Sequence, residues 1–306
     1  RKADFPGLVT ADGEPWHYLD TAASAQKPQV VVDAMSRALG VDYATVHRGV
    51  YGRSAQMTLG YEAARRRVAD FIGAESEDEI VFVRGATEGI NLVAQSWGAA
   101  NLGEGDRIVL SMLEHHSNIV PWQLVCEQTG AALKVAKVND DGSLNMDSFT
   151  ELLTEDTAIA AFAHVSNAIG TINPVQEMCS LARKVGAISL VDGAQATGHL
   201  NVDVSEIDCD FYAISGHKMF GPTGIGCLYG KHALLEEMDP WQGGGDMILS
   251  VSFEETTWNH VPFKFEAGTP NIAGVIAFKA ALDFITNLGI ENIAKHEDDL
   301  VQYATK

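Results

Sequence analysis

The chain has 306 residues, 46 % of them hydrophobic and 20 % charged, which suffices for a sizeable core and excludes disorder, collagen-like repeats and coiled coil. Asp plus Glu is 41 against 21 Lys plus Arg, a formal net charge of -20 that argues against nucleic-acid binding, where basic surface must displace counterions. Apolar runs fall well short of the roughly 18 residues of a membrane span, and Arg1-Lys2-Ala3-Asp4-Phe5-Pro6-Gly7 lacks the apolar stretch of a signal peptide, so a soluble chain is expected.

Four cysteines (Cys126, Cys179, Cys209, Cys227) make neither a disulfide framework nor a closely spaced zinc signature. They read as small buried apolar residues of a cytoplasmic protein. Cys209 lies between Asp208 and Asp210, whose charges disfavour a thiolate.

Along the chain, short β-rich runs alternate with helical patterns, the signature of an α/β protein. Residues 57–72 read as a helix whose Arg65-Arg66-Arg67 is expected to be solvated or salt-bridged rather than an anion site. A strand over 79–83 runs into Arg84-Gly85-Ala86-Thr87-Glu88-Gly89-Ile90-Asn91, which opens a helix over 88–97. Thr87 is placed to be its N-cap, leaving first-turn N–H groups for an anion; the alternative is an ordinary capped helix.

The next strand, 107–111, ends at Glu114-His115-His116-Ser117-Asn118. Parallel strands end at the ligand crevice, so this is either a site segment or a capping loop. A helix over 119–129, a strand over 133–138, a helix over 146–153, a strand over 158–165 and a helix over 175–185 follow. The strand over 187–191 ends at Asp192-Gly193-Ala194-Gln195. A carboxylate closing a buried apolar strand must be paired, and a protonated ring nitrogen or a watery cleft would each serve.

The strand over 211–214 precedes Ser215-Gly216-His217-Lys218-Met219-Phe220-Gly221-Pro222-Thr223-Gly224-Ile225-Gly226, followed by a strand over 225–229. Lys218, between a hydrophobic strand and a Gly/Pro-rich turn, has the setting that lowers an amine's pKa for Schiff-base chemistry. After Gly243-Gly244-Gly245 the pattern becomes irregular until helices over 272–287 and from 290 onward. The last helical pattern ends without cap or breaker, which suggests missing sequence.

Together these clusters contain what pyridoxal 5'-phosphate requires: a helix N-terminus and hydroxyls for the phosphate, a ring to stack, a carboxylate for the ring nitrogen and a lysine. The motifs, with Tyr18-Leu19-Asp20-Thr21-Ala22-Ala23, Val46-His47-Arg48-Gly49-Val50 and Phe265-Glu266-Ala267-Gly268-Thr269-Pro270-Asn271, also occur in the order found in a known family. The chain resembles the group II cysteine desulfurases/selenocysteine lyases, of the class V aminotransferase branch of fold-type I pyridoxal-phosphate enzymes. The resemblance implies a mostly parallel mixed sheet covered by helices in a large cofactor domain (18–262). It also implies an N-terminal segment (1–17) associated with a small α+β domain, and connecting helices (263–306) leading into that domain.

It further implies roles. Lys218 resembles the Schiff-base lysine and proton shuttle, and His115 the residue stacked on the ring. Asp192 would pair with the ring nitrogen and Gln195 with the phenolic oxygen. Thr87, Ser215, His217 and the Glu88 backbone N–H would hold the phosphate. Thr269 would reach the phosphate of a partner subunit, implying a homodimer. Asn167 and His47 would lie on the substrate side, His47 with a structural role as the alternative. The implied activity takes L-cysteine, and in this family commonly L-selenocysteine, to L-alanine, passing sulfur as a persulfide to an acceptor protein for iron–sulfur assembly. Family members carry the cysteine nucleophile and a carboxylate-binding arginine in a further C-terminal part, so the 306 residues are expected to bind cofactor without turning over. A class V aminotransferase and a catalytically silent scaffold are the alternatives. Tyr51-Gly52-Arg53 departs from the family pattern.

Overall fold

The computed structural model describes residues 2–306. Seven strands form its central sheet: β1 (Ile80–Val83), β2 (Arg107–Ser111), β3 (Ala132–Ala136), β4 (Thr157–Ala163), β5 (Ile188–Asp192), β6 (Phe211–Ser215) and β7 (Gly226–Gly230). Their order is β1-β7-β6-β5-β4-β2-β3. β2 pairs in parallel with β3 and β4, β4 with β5, and β5 with β6, while β7 is antiparallel to β1 and β6. This is the mostly parallel mixed sheet expected, and its apolar runs reflect helices on both faces.

Alternate residues feed two cores. Val109, Phe162, Val191 and Tyr212 point into one, and Leu110, Ala161, Leu190 and Phe211 into the other. The helix Ala86–Val93 packs on the second face through Ile90, and Val175–Lys184 packs on the first through Met178 and Cys179. The helix Ile272–Leu288 places Ile272, Val275, Phe278 and Leu282 in the first core, and its Ala277 and Ala281 meet Val31 of the helix Gln29–Leu39. Ile290–Ala304 forms a second C-terminal helix.

The topology decides where a ligand goes. The chain adds β3 on one side of β2 and later places β4 on the other, so the winding reverses between β2 and β4. Segments leaving the carboxyl ends of β2, β4, β5 and β6 meet along one edge of the sheet, as the crevice rule for open α/β sheets requires.

Several elements differ from the sequence reading. The helix containing residues 57–72 begins earlier, at Gly52, because Ser54 is buried and its hydroxyl caps the Thr45 carbonyl at 2.8 Å instead of facing water. The helix after β1 continues from Val93 through a π-helical turn, Ala94–Gly98. The irregular stretch after Gly243 contains a hairpin, β8 (Ile248–Val251) with β9 (Thr256–Trp258), which exposes Leu249, Val251 and Phe253. The arginine triplet is salt-bridged as expected: Arg66 pairs with Glu77 at 2.7 Å and Arg67 with Asp283 at 2.9 Å. Arg65, however, is core. It is fully buried beneath Phe82 and Phe263 and makes a two-pronged pair with Glu266 at 2.6 and 3.0 Å.

Candidate active site

Each motif sits where a strand ends, because the sheet delivers its parallel strands to one edge. Lys218 closes the single 3-10 turn Gly216–Lys218 directly after β6. Asp192 is the last residue of β5, His115 follows β2, and Asn167 lies in the loop after β4. With Thr87, Gln195, Ser215 and His217, they line one cleft of about 480 Å³, within the range of cofactor-sized sites.

The start of the Ala86–Val93 helix corrects one expectation. Thr87 is inside the first turn, not at the N-cap; Gly85 occupies that position with φ 155°, a backbone conformation that glycine tolerates. The capping acceptor comes from elsewhere: Ser215 Oγ accepts the Ala86 N–H at 2.9 Å. The Glu88 N–H donates to the Gly85 carbonyl at 3.0 Å, and its carboxylate binds Arg84 Nε at 2.8 Å. Glu88 therefore lies outside the lysine cleft, in an adjoining one of about 510 Å³ that shares Thr87, Ser215 and His217. Trp241 lines the adjoining cleft, and its buried Nε1 has no hydrogen-bond partner among the described residues.

Burial disfavours the charged forms of both the amine and the carboxylate. Burial pulls the Lys218 amine below the usual lysine range, opposed by Asp192. Asp192 is buried; desolvation raises its pKa, and the 3.0 Å hydrogen bond its Oδ1 accepts from the Ala194 N–H only partly offsets this. Burial, then Lys218, also lowers the His115 imidazole, whose Nδ1 lies 2.8 Å from Ser117 Oγ. His217 is lowered by burial, then by Lys218 and Lys27. Its carbonyl accepts the Ala25 N–H at 2.9 Å and Lys27 Nζ at 3.2 Å, tying the 22–27 segment to the lysine turn.

Two anticipated residues lie elsewhere. Thr269 is in a separate cleft of about 460 Å³ with Arg84, Glu88 and Gly224. His47 bonds Glu62 at 2.7 Å and packs edge-on against Tyr61 and Phe263, outside the cleft of Lys218. The sequence reading singled out neither Ser117 nor the 20–23 segment individually as lining the site. Asp20, Ala22 and Ala23 line it, and Gln195 Nε2 holds the Ala22 carbonyl at 2.8 Å. Their signal was the Tyr18–Ala23 motif, whose distance in sequence hid its partner.

The cysteines offer no nucleophile. Cys179, Cys209 and Cys227 are buried, and burial raises all three thiols, Cys179 to about 12. Cys126 is raised by burial as well, and none of the four lines the cleft. Among the described residues no group of three or more His, Cys, Asp or Glu is arranged to hold a metal ion, and no single helix is long and apolar enough to cross a membrane.

Pyridoxal phosphate fits this constellation. A buried carboxylate whose ionisation is only partly compensated matches a protonated ring nitrogen, and the hydroxyl residues Thr87 and Ser215 line the adjoining cleft at the helix N-terminus, where an anion would sit. Residues 17–306 match the family model described as aminotransferase class-V. The cysteine desulfurase of Escherichia coli (strain K12 / DH10B) is 54 % identical over 305 residues, 99 % of this chain and 75 % of that protein. The crystal structure of the E. coli cysteine desulfurase CsdA (S-sulfonic acid) superposes with a TM-score of 0.87 at 42 % identity, covering 95 % of this chain and 72 % of that one. The apo cysteine desulfurase of Thermococcus onnurineus NA1 gives 0.93 at 37 % identity, covering 99 % and 74 %. The chain belongs to the class V aminotransferase family of pyridoxal-phosphate enzymes and, within it, to the cysteine desulfurases.

Proposed function

We propose that this chain performs the cofactor and proton chemistry of a desulfurase acting on L-cysteine. The observation that carries this is the convergence of Lys218, Asp192 and His115 in one cleft of a chain 54 % identical to cysteine desulfurases. Overall, the Cβ–S bond of cysteine breaks, sulfur joins a thiol as a persulfide, and Cβ gains a proton to give L-alanine. When bound, pyridoxal phosphate supplies an aldehyde for amines to condense with and a ring that takes up negative charge.

The residues divide the work. Lys218, its amine kept less basic by burial, holds the cofactor and then moves the proton at substrate Cα. Asp192, at the end of β5, keeps the ring nitrogen protonated. His115 covers the ring, its imidazole made less basic chiefly by burial. Gln195 retains an amide hydrogen for the phenolic oxygen after binding Ala22. Thr87, Ser215, His217 and the Glu88 segment hold the phosphate, while Thr269 contacts that of a partner subunit in a homodimer. Asn167 serves the substrate side, while His47, bonded to Glu62 outside this cleft, takes the structural role.

In the same proposal, the thiol that accepts sulfur is none of the four cysteines, so the 306 residues bind the cofactor but need an added thiol to turn over. L-selenocysteine is a second substrate. The sulfur passes to an acceptor protein of iron–sulfur assembly in the cytoplasm, and residues 18–262 form the large domain. Incubation with L-cysteine and excess small dithiol tests the reading. Alanine with sulfide is expected; 3-mercaptopyruvate with pyridoxamine phosphate would overturn it in favour of an aminotransferase.

A further inference from the structure

Beneath His115 lies a buried polar chain that the proposed chemistry leaves unused. Glu114 points inward, 8 % exposed, as its neighbour turns to the cleft. One carboxyl oxygen is hydrogen-bonded to the Ser111 hydroxyl at the end of β2, and the other accepts Asn118 Nδ2 at 2.7 Å. Asn118 Oδ1 in turn accepts the indole N–H of the fully buried Trp122 at 2.9 Å. The Asn118 N–H donates to the His115 carbonyl at 2.8 Å, and the Leu113 N–H to Ser111 Oγ at 3.1 Å. The turn carrying His115 is therefore pinned at both ends through one carboxyl group. The His115 ring itself is hydrogen-bonded to Ser117 and packs against the His116 ring.

We propose that Glu114 is a positioning residue for His115, fixing the turn that presents the imidazole to the cofactor cleft. This rests on the pyridoxal-phosphate reading above. Burial of unpaired donors is costly, so removing the carboxyl leaves Ser111 and Asn118 to find new partners and releases the turn. Glutamine is a faithful replacement: its Oε1 accepts from Asn118, and its amide donates to the second lone pair of Ser111 Oγ. Desolvation, the largest influence on Glu114, also raises its pKa to about 7, so its uncharged form is within reach at neutral pH.

A thermodynamic cycle tests this through cofactor affinity. Glu114→Ala should weaken pyridoxal phosphate binding on the order of tenfold with His115 present, and less than about twofold in a His115→Ala background; Glu114→Gln should stay close to the parent. Equal losses in both backgrounds would overturn the proposal, since a merely structural defect adds independently of His115. A second readout needs no cofactor and so separates this inference from the reading beneath it. Lys218, Asp192 and His116 act on the imidazole, whose pKa is depressed chiefly by burial. By NMR, the His115 titration midpoint should rise towards the ordinary histidine value in Glu114→Ala, as the ring gains water, and stay in place in Glu114→Gln. An unmoved midpoint in Glu114→Ala would sink the proposal even if the cofactor binds, and a moved one would sustain it even if the cofactor does not.

Discussion

Ser215 Oγ, at the end of β6, accepts the first backbone N–H of the helix beginning at Ala86, 2.9 Å away across 129 residues of sequence. This bond aligns the helix N-terminus with the turn that carries Lys218. One hydroxyl thus joins the two parts of the site that must meet at the cofactor: the anion-binding end and the amine.

Ser215→Ala removes that acceptor from a buried N–H. It should cost about 1 kcal/mol of stability, read as a lower urea midpoint at unchanged m-value. Pyridoxal phosphate affinity should fall more than that of pyridoxal lacking the phosphate. Equal losses for the two would count against a phosphate role for Ser215.

Lys218→Ala should fold as well as the parent, since it deletes an amine that burial already disfavours. After borohydride reduction of the loaded parent, mass spectrometry should find the cofactor covalently attached to the peptide bearing Lys218. The variant should carry none. A retained adduct would place the reactive amine elsewhere.

Glu114 sets a pH signature for the cofactor-free protein. A carboxyl raised to about 7 binds protons that the unfolded chain releases near its ordinary value, so its contribution to stability falls as pH rises through that window. Glu114→Gln should abolish this slope, gaining up to about 3 kcal/mol relative to the parent by the top of the window and little below pH 4. His164, lowered to about 4 by burial, has the opposite slope, so the difference between the two proteins is the quantity to measure. Parallel stability curves from pH 4 to 8 would contradict the assignment.

Arg65→Ala should be severe, about 3–5 kcal/mol by thermal or denaturant unfolding, because it strands the Glu266 carboxylate against Phe82. Combining Arg65→Met with Glu266→Gln should recover most of the loss, since the pair's penalty lies in leaving one charge alone. A double variant as unstable as Arg65→Ala would show that shape, not charge, is at stake.

Local chemistry made much of this protein legible in sequence. The strand-end motifs at His115, Asp192 and Lys218 announced themselves because apolar runs stop abruptly at polar, Gly-rich segments, and the same alternation revealed the α/β sheet. What lay outside that signal was non-local. Thr87 reads as an N-cap, yet the hydrogen bond that caps its helix comes from Ser215, and no pattern within residues 84–91 contains it. Arg65 reads as one of three surface cations, yet Glu266 and three aromatic rings draw it into the core. The hairpin of β8 and β9 lacks the apolar alternation that a buried face imposes, so it read as irregular.

By itself, then, the sequence determined the residue types of the site and the strands that end at them, because burial and backbone hydrogen bonding act over a few residues. The tertiary structure alone decided which of them share a cleft. Winding reverses between β2 and β4, bringing His115, Asn167, Asp192 and Lys218 to one edge while leaving His47 and Thr269 apart. That choice belongs to strand order, which emerges only when all seven strands compete for the same two cores.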